Sequence, residues 1–490
     1  MKQESTSERE EKLVRMTTEP VEKLVCKLAL PTIISMLVST FYNMADTYFV
    51  GKIGYMSGSV AEQAAVQTRA TAAVGVVFSL MAVMQAFGFF FGHGSGNFIS
   101  RSLGSGNEKP AEKMAATGFF MSLIFGIIIL AFGQIFAFPL ARLLGASEDF
   151  LNYTVDYMRI ILAGAPIFMS SLVLNNQLRF QGNAFYAMVG ISSGAVINIV
   201  LDPVFIFIFD MEVMGAALAT VLSQAVSFII LYIGTLRSDC LKIKFKNFEV
   251  SKFTVSEIIR GGLPSLCRQG LASISTACLN NAAGIYGATL AVSAAGAAAS
   301  SSAVAAMSVV SRIMMFAASV MIGFGQGFQP VCGYNYGARK YGRVKKAFYF
   351  CVKLSFLVLA VLSVVLGVFA REAVALFRDN DPLALDIGAR TLLYQCFTLP
   401  LMSWVVMSNM MLQTMGKVVP ASLLAASRQG MCFLPAILLL PPLFGMTGVE
   451  IAQSVADVLS FALAIPITIN VLKELSRPES DPDTVLSGKS

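Results

Sequence analysis

Two carboxylates, an amide and a hydroxyl stand in apolar surroundings in the first half of this chain. They are Asp46 in "FYNMADTYFVG", Asn198 and Asp202 in "NIVLDPVFIF", and Thr220 in "GAALATVLSQ". An ionisable residue inside a membrane span costs roughly 2.5 to 3.5 kcal/mol on insertion scales and is tolerated where it faces a cavity or a partner. At 1.5 Å per residue, Asp46 stands about 27 Å along the first apolar span. Asp202 lies about as far along the fifth, which runs the same way, and Asn198 is one turn earlier on the same face. Thr220 is roughly one and a half to two turns into the sixth span, which runs the other way, so the four groups share one level. Pro203 cannot donate to the carbonyl of Ile199 and loosens the fifth span beside them. A freed carbonyl next to two acids suits a hard monovalent cation such as Na+. Two acids crowded in low dielectric also make a proton a natural occupant. The alternative is a purely architectural pairing of each acid with a shielded polar group. Such a pair is expected in both halves of a repeated chain, yet the matching positions near Leu279 and Ala436 are apolar.

The elements that position these groups are legible from composition. The 490 residues are 56% hydrophobic and 13% charged, with mean hydropathy +0.70, whereas soluble domains carry about 25% charged residues. Runs such as "MSLIFGIIILAFGQIFAFPL" approach the roughly 20 residues that cross a bilayer as a helix. Apolar segments and their breaks predict twelve spans, near 28–53, 70–100, 115–142, 153–181, 184–209 and 213–236, then 255–287, 301–333, 344–369, 386–416, 418–442 and 446–472. The fold expected is an all-α membrane protein. Lys and Arg concentrate in the even-numbered connections, "SRSLGSGNEKPAEK", "RSDCLKIKFKNFEVSKF" and "YGARKYGRVKK", which predicts both termini on the cytoplasmic side. The connection near 371–390 is the exception, with Arg371, Arg378 and Arg390 set among four acids.

The halves resemble each other at a displacement of roughly 231 to 234 residues. Leu30-Pro31 recurs as Leu263-Pro264, and Gly92, Gly94, Gly96 and Gly106 as Gly323, Gly325, Gly327 and Gly337. Gly51 and Gly54 recur as Gly284 and Gly287, Pro166, Asn175, Leu178 and Gly182 as Pro400, Asn409, Leu412 and Gly416, and Gly215 as Gly448. Six spans per half make a parallel repeat about an axis along the membrane normal, so two six-helix bundles are expected to face each other in a pseudo-twofold. The expected organisation is a cytoplasmic N-terminal segment 1–27, a first lobe 28–238, a cytoplasmic linker 239–254, a second lobe 255–473 and a cytoplasmic tail 474–490. Two lobes around a shared cavity suit alternating access.

Other classes are disfavoured. The N-terminal segment has no apolar core or cleavage site of a secretory signal. Eight cysteines without metal-ligand spacing read as small buried hydrophobes. The net charge of +7 lies in short loops, which argues against nucleic acid as a partner. No GxxxxGK[ST] run is present, and one histidine, His93, leaves no hydrolase triad, so no enzyme activity and no cofactor are expected. His93 in "GHGSG" reads as close glycine packing rather than a proton relay. A major-facilitator carrier would carry a "GxxxDRxGRR"-like run after the second span, and none is there.

Three motifs, "LALPTIISMLVSTFYNMADTYFVGKIG", "NIVLDPVFIF" and "GFGQGFQPVCGYNYGARKYGRVKKAFYF", stand in an order that resembles the multidrug and toxic compound extrusion (MATE) transporters over essentially all twelve spans. The resemblance implies export of organic, often cationic and amphiphilic compounds in exchange for H+ or Na+. It is closest to the branch with a first-lobe cation site, whose pattern falls on Asp46, Asn198, Asp202 and Thr220, and it places Tyr157 and Asn175 along the substrate cavity. A second branch uses second-lobe acids. Here Glu450 and Asp457 are the candidates, while the seventh span, "SLCRQGLASISTACLNNAAG", holds no carboxylate. The connections "YMSGSVAEQAAVQTR" and "ATLAVSAAGAAASSSA" exceed the family pattern. Arg268 and Arg428 read as partners of Glu450, Asp457 or freed carbonyls. The rival reading makes them phosphate ligands in a flippase for a lipid-linked precursor. The expected partners are small organic molecules and membrane lipids, with the protein a monomer in a bacterial cytoplasmic membrane.

Overall fold

The computed structural model describes residues 2–53, 60–237, 241–290, 295–377 and 381–476. Gly54, Cys240, Arg378 and the segment 477–490 lie outside the described residues. Everything described is helical or connecting loop. The helices are α1 (Lys2–Thr18), α2 (Val21–Val50), α3 (Val60–Gly104), α4 (Glu108–Ile135), α5 (Ala137–Leu143), α6 (Leu151–Ala163), α7 (Ala165–Phe180), α8 (Ala184–Pro203) and α9 (Glu212–Arg237). After the loop come α10 (Lys252–Ala288), α11 (Ala295–Gly337), α12 (Tyr341–Val368), α13 (Ala370–Ala375), α14 (Pro382–Thr398), α15 (Met402–Thr414), α16 (Val418–Ala426), α17 (Phe433–Phe444) and α18 (Met446–Glu474).

Among the described residues, ten helical stretches are long and apolar enough to cross a membrane, or 11 if α6 and α7, bent by 49°, count as one. Helix α10 occupies the place expected for the seventh span and is 37 residues long, but Glu257, Arg260 and Arg268 in its first half and the Ser, Thr and Asn residues of its second leave it too polar to qualify by composition alone. Two expectations need correction. The first span, expected to begin near residue 28, begins at Val21, and within the N-terminal segment Lys2–Thr18 forms α1. The two long connections are largely helix, because α3 begins at Val60 and α11 at Ala295; their Ala-rich sequences have high helix propensity.

Local chemistry sets the breaks. Pro203 is followed by a π-helical turn, Val204–Ile208, where the ordinary ladder is interrupted. Ser251 and Thr254 form a reciprocal capping box that starts α10. The turns after α3, α7 and α15 use Gly106, Gly182 and Gly416 at positive φ.

The halves meet where α2 lies against α11 and α3 against α10. The tightest backbone approaches between them, at Gly104 and Gly337, mark one end of the bundle, here called the base. A Cβ on Gly104 would lie 2.2 Å from the carbonyl oxygen of Tyr334, and one on Gly337 would lie 2.0 Å from that of Arg101. These contacts are reciprocal at a displacement of about 233 residues. They pair Gly337 with Gly104 rather than Gly106, whose left-handed turn corresponds instead to Arg339 (φ 58°). Gly327 and Gly323 lie against Ala29 and Ile33, and Gly94 against Ile258. Arg101 reaches across to Glu257 at 2.8 Å and to the carbonyl of Thr414 at 2.6 Å. The end of α1 and the last described residue also lie here, since Arg343 bonds the carbonyl of Thr18 and its neighbour Lys345 bonds Ser476.

Asn175 and Asn409 each donate to a backbone carbonyl twelve residues on, Ala187 at 2.9 Å and Ala421 at 2.6 Å, tying α7 to α8 and α15 to α16. Replacing Asn175 by Ala strands a buried acceptor, a loss of about 1 to 3 kcal/mol. The expected result is a lower melting temperature in detergent, read by scanning fluorimetry, and the same sign for Asn409→Ala.

Candidate functional site

Helix α2 presents a polar stripe, Ser39, Tyr42, Asn43 and Asp46, at the three- and four-residue spacing of one helix face. Helix α8 brings Asn198 and Asp202 just before the π turn, and α9 brings Thr220. Asn198, Asp202 and Thr220 are almost wholly buried. The Asn198 amide donates to Asp202 Oδ1 at 3.3 Å and to Thr220 Oγ1 at 3.4 Å. Asp46 is close enough to Asp202 for the two charges to repel. Tyr42 lies beside Thr220, and Tyr42 and Tyr157 both lie in the field of the two acids.

The three elements therefore bring the four expected residues together and add Tyr42, which the sequence reading did not single out. Asp46 Oδ1, Asp202 Oδ2 and Asn198 Oδ1 are buried with no hydrogen-bond donor facing them. No ion pair neutralises either acid among the described residues. Three orphaned oxygens beside a hydroxyl form a donor set for a proton or a hard monovalent cation. Among the described residues no cluster of three or more His, Cys, Asp or Glu side chains is placed to hold a metal ion.

An open cavity of about 170 Å3 adjoins this site, walled entirely by the first half. Tyr42, Asn43, Gln85 and Asn198 give it polar groups, and Phe78 and Met81 give it apolar, repackable surface. Tyr42 and Asn198 thus belong to the cavity wall and to the acid cluster at once. Tyr157 is buried behind the acids, and Asn175 is committed to the Ala187 carbonyl. Neither forms part of the wall of this cavity.

The second-half acids are in a different condition. Glu450 Oε1 pairs with Arg390 at 2.9 Å. Asp457 pairs with Arg428 at 2.9 Å and accepts from Gln453 at 2.8 Å and Thr398 at 3.4 Å. Arg428 sits in a second π-helical segment, Ser427–Met431, and so takes the partner expected of it. Among the described residues, Arg268 reaches only Asn409, at 3.4 Å. His93 is buried at the seam, with Nδ1 2.8 Å from Ser265 Oγ and its ring stacked on Phe89.

The MatE family signature matches residues 31–204 and 277–438, well over half of the chain. The chain belongs to the MatE family. It is a multi-pass membrane transporter and not an enzyme. A protein named multidrug export protein MepA, from Staphylococcus haemolyticus, is 27% identical over 470 residues, covering 96% of this chain and 98% of the relative. The MepA of Staphylococcus aureus is 26% identical over 468 residues, 95% of this chain and 97% of that one. Among solved structures, an outward-facing multidrug resistance MATE family transporter of the MOP superfamily superposes with a TM-score of 0.84 at 25% identity, covering 95% of this chain and 99% of that one. A MOP superfamily transporter from Pyrococcus furiosus does so with the same score, identity and coverage.

Proposed function

We propose that this MatE protein is a secondary active multidrug exporter, moving organic, cationic amphiphilic compounds out of a bacterial cell in antiport with H+ or Na+ by alternating access. The observation that carries the coupling is the contrast between halves. Asp46 and Asp202 are crowded together with orphaned oxygens, whereas Glu450 and Asp457 each hold an arginine. An acid pair without a resident countercharge favours binding an ion in every cycle. Because Tyr42 and Asn198 face both cavity and acids, an ion at the acids and a cation in the cavity disfavour each other, which is the requirement for exchange. One pH unit supplies about 1.4 kcal/mol per proton, and 100 mV about 2.3 kcal/mol per net charge moved.

The architecture that suits this is twelve spans in two parallel six-helix lobes, 28–238 and 255–473, with α10 as the twelfth. Its polar residues Glu257 and Ser265 are spent on the seam against Arg101 and His93. The reciprocal Gly104 and Gly337 contacts support a pseudo-twofold between the lobes. The base carries the Lys- and Arg-rich connections, which supports a cytoplasmic base with both termini there. Closure at the base beside an open cavity supports an outward-facing state.

The test uses the purified protein in liposomes carrying ethidium, with a pH gradient or a Na+ gradient imposed separately. Ethidium movement that follows one of the two gradients is the expected result. Ethidium movement indifferent to both overturns the antiport reading. Arg268, without a carboxylate partner, is the observation behind the rival flippase; translocation of a lipid-linked sugar without ethidium transport would favour it.

A further inference from the structure

We propose that α1 is a releasable latch that holds the two halves together at the base. The inference rests on the alternating-access reading above. The last carbonyls of a helix have no partner within it and carry the negative end of its dipole. In α1 and the residue that follows it, these carbonyls are taken by the second half. Asn335 Nδ2 donates to Met16 O at 3.1 Å, and Lys340 Nζ to Thr17 O at 3.0 Å. Arg343 Nη1 donates to Thr18 O at 3.3 Å and Nη2 to Glu19 O at 2.5 Å. All three donors stand at the junction of α11 and α12. Arg343 Nε also bonds Asn335 Oδ1 at 2.8 Å, so the donor set is held together within the second half.

The flank of α1 is tied to the first half. Lys12 Nζ donates to Asn183 Oδ1 at 2.8 Å in the turn between α7 and α8, and Arg9 pairs with Glu108 at 3.0 Å at the start of α4. Met16 is fully buried in one core with Val344 and Phe348 of α12, and also lies beside Gly182 of the first half. Helix α1 therefore crosses the seam and is bonded on both sides of it.

Opening the base separates these two sets of partners, so one set must let go. Helix α1 runs through Pro20 directly into α2, which carries Asp46. Movement of the first half thus draws the α1 carbonyls away from Asn335, Lys340 and Arg343. Three of these four bonds, those of Lys340 and Arg343, are charge-assisted; the set is strong together and each bond is singly replaceable by water once the base is wet. The latch biases the resting state toward a closed base without touching the cavity or the acids.

The test places spin labels at Lys109 and Val419, both exposed at the base on opposite halves, in a variant whose native cysteines are serines, and measures their distance distribution in liposomes at several pH values and Na+ and ethidium concentrations. Lys340→Gln/Arg343→Gln is expected to raise the ratio of long to short distances about tenfold. Removal of residues 2–18 is expected to raise it at least as much, while Lys345→Gln, whose bond to Ser476 stays within the second half, leaves it unchanged. A distribution that responds to ion and ethidium in the parent but is the same in the double variant overturns the latch alone. A distribution fixed in the parent under every condition overturns the alternating-access reading and the latch with it.

Discussion

Asp202→Asn and Asp46→Asn are each expected to cut gradient-driven ethidium export sharply while leaving a folded protein. Asparagine keeps the size of the side chain and removes the charge that an incoming ion would neutralise. The fall expected is at least about tenfold, equivalent to 1.4 kcal/mol or more of lost coupling. Stability moves the other way or not at all, because a buried acid facing a second acid with orphaned oxygens is costly. The controls come from the second half. Asp457→Asn leaves Arg428 without its carboxylate, and Glu450→Gln does the same to Arg390. Breaking a buried pair destabilises the fold, so Asp457→Asn is expected to melt earlier, Glu450→Gln less so because Arg390 is half exposed, and both keep whichever ion dependence the parent has. Efflux in liposomes and melting temperature, measured on all four variants, separate the two outcomes.

Gly337→Val is the second large effect. The Cβ of residue 337 would stand 2.0 Å from the carbonyl oxygen of Arg101, and backbone cannot yield as a flexible side chain does. The halves must part there, at a cost of about 1 to 3 kcal/mol for overpacking. That cost falls on the base-closed state alone and shifts the population toward an open base. Export is expected to fall about tenfold or more, and Gly104→Val, 2.2 Å from the Tyr334 carbonyl, should do the same. Cys332, fully buried beside Arg101 at this seam, supplies the readout. It is expected to react faster with a membrane-permeant maleimide in both variants. Parent-like export and labelling would show that the base does not work as a closing surface.

Much of the fold and site was legible in the residues, for physical reasons that differ from element to element. The spans declare themselves because lipid demands long apolar helices, so span limits read from hydropathy fall within a few residues of helices such as α9, α12 and α18. The acid cluster was legible because carboxylates are costly in apolar segments and depth follows from helix rise. The structure joins Asn198 to Asp202 and Thr220 as that reckoning expects. Tyr42 was passed over although its signal was present: Ser39, Tyr42, Asn43 and Asp46 recur at helical spacing, and a tyrosine one turn before an acid shares its face. Helix α1 was hidden for the opposite reason. Its sequence is polar and its stability comes from carbonyls capped by Asn335, Lys340 and Arg343, more than 300 residues away. No local pattern reports a partner at that distance. Asn175 shows the limit of resemblance, since its amide goes to the Ala187 carbonyl.

The most direct measurement is ethidium binding to the purified protein by calorimetry, in buffers of differing ionisation heat and at rising Na+. Release of a proton, or competition by Na+, on binding to the parent, and loss of that release or competition in Asp46→Asn/Asp202→Asn, is the expected result. Ethidium affinity independent of both pH and Na+ in the parent, or an ion linkage unchanged in the double variant, would contradict coupling through these two carboxylates.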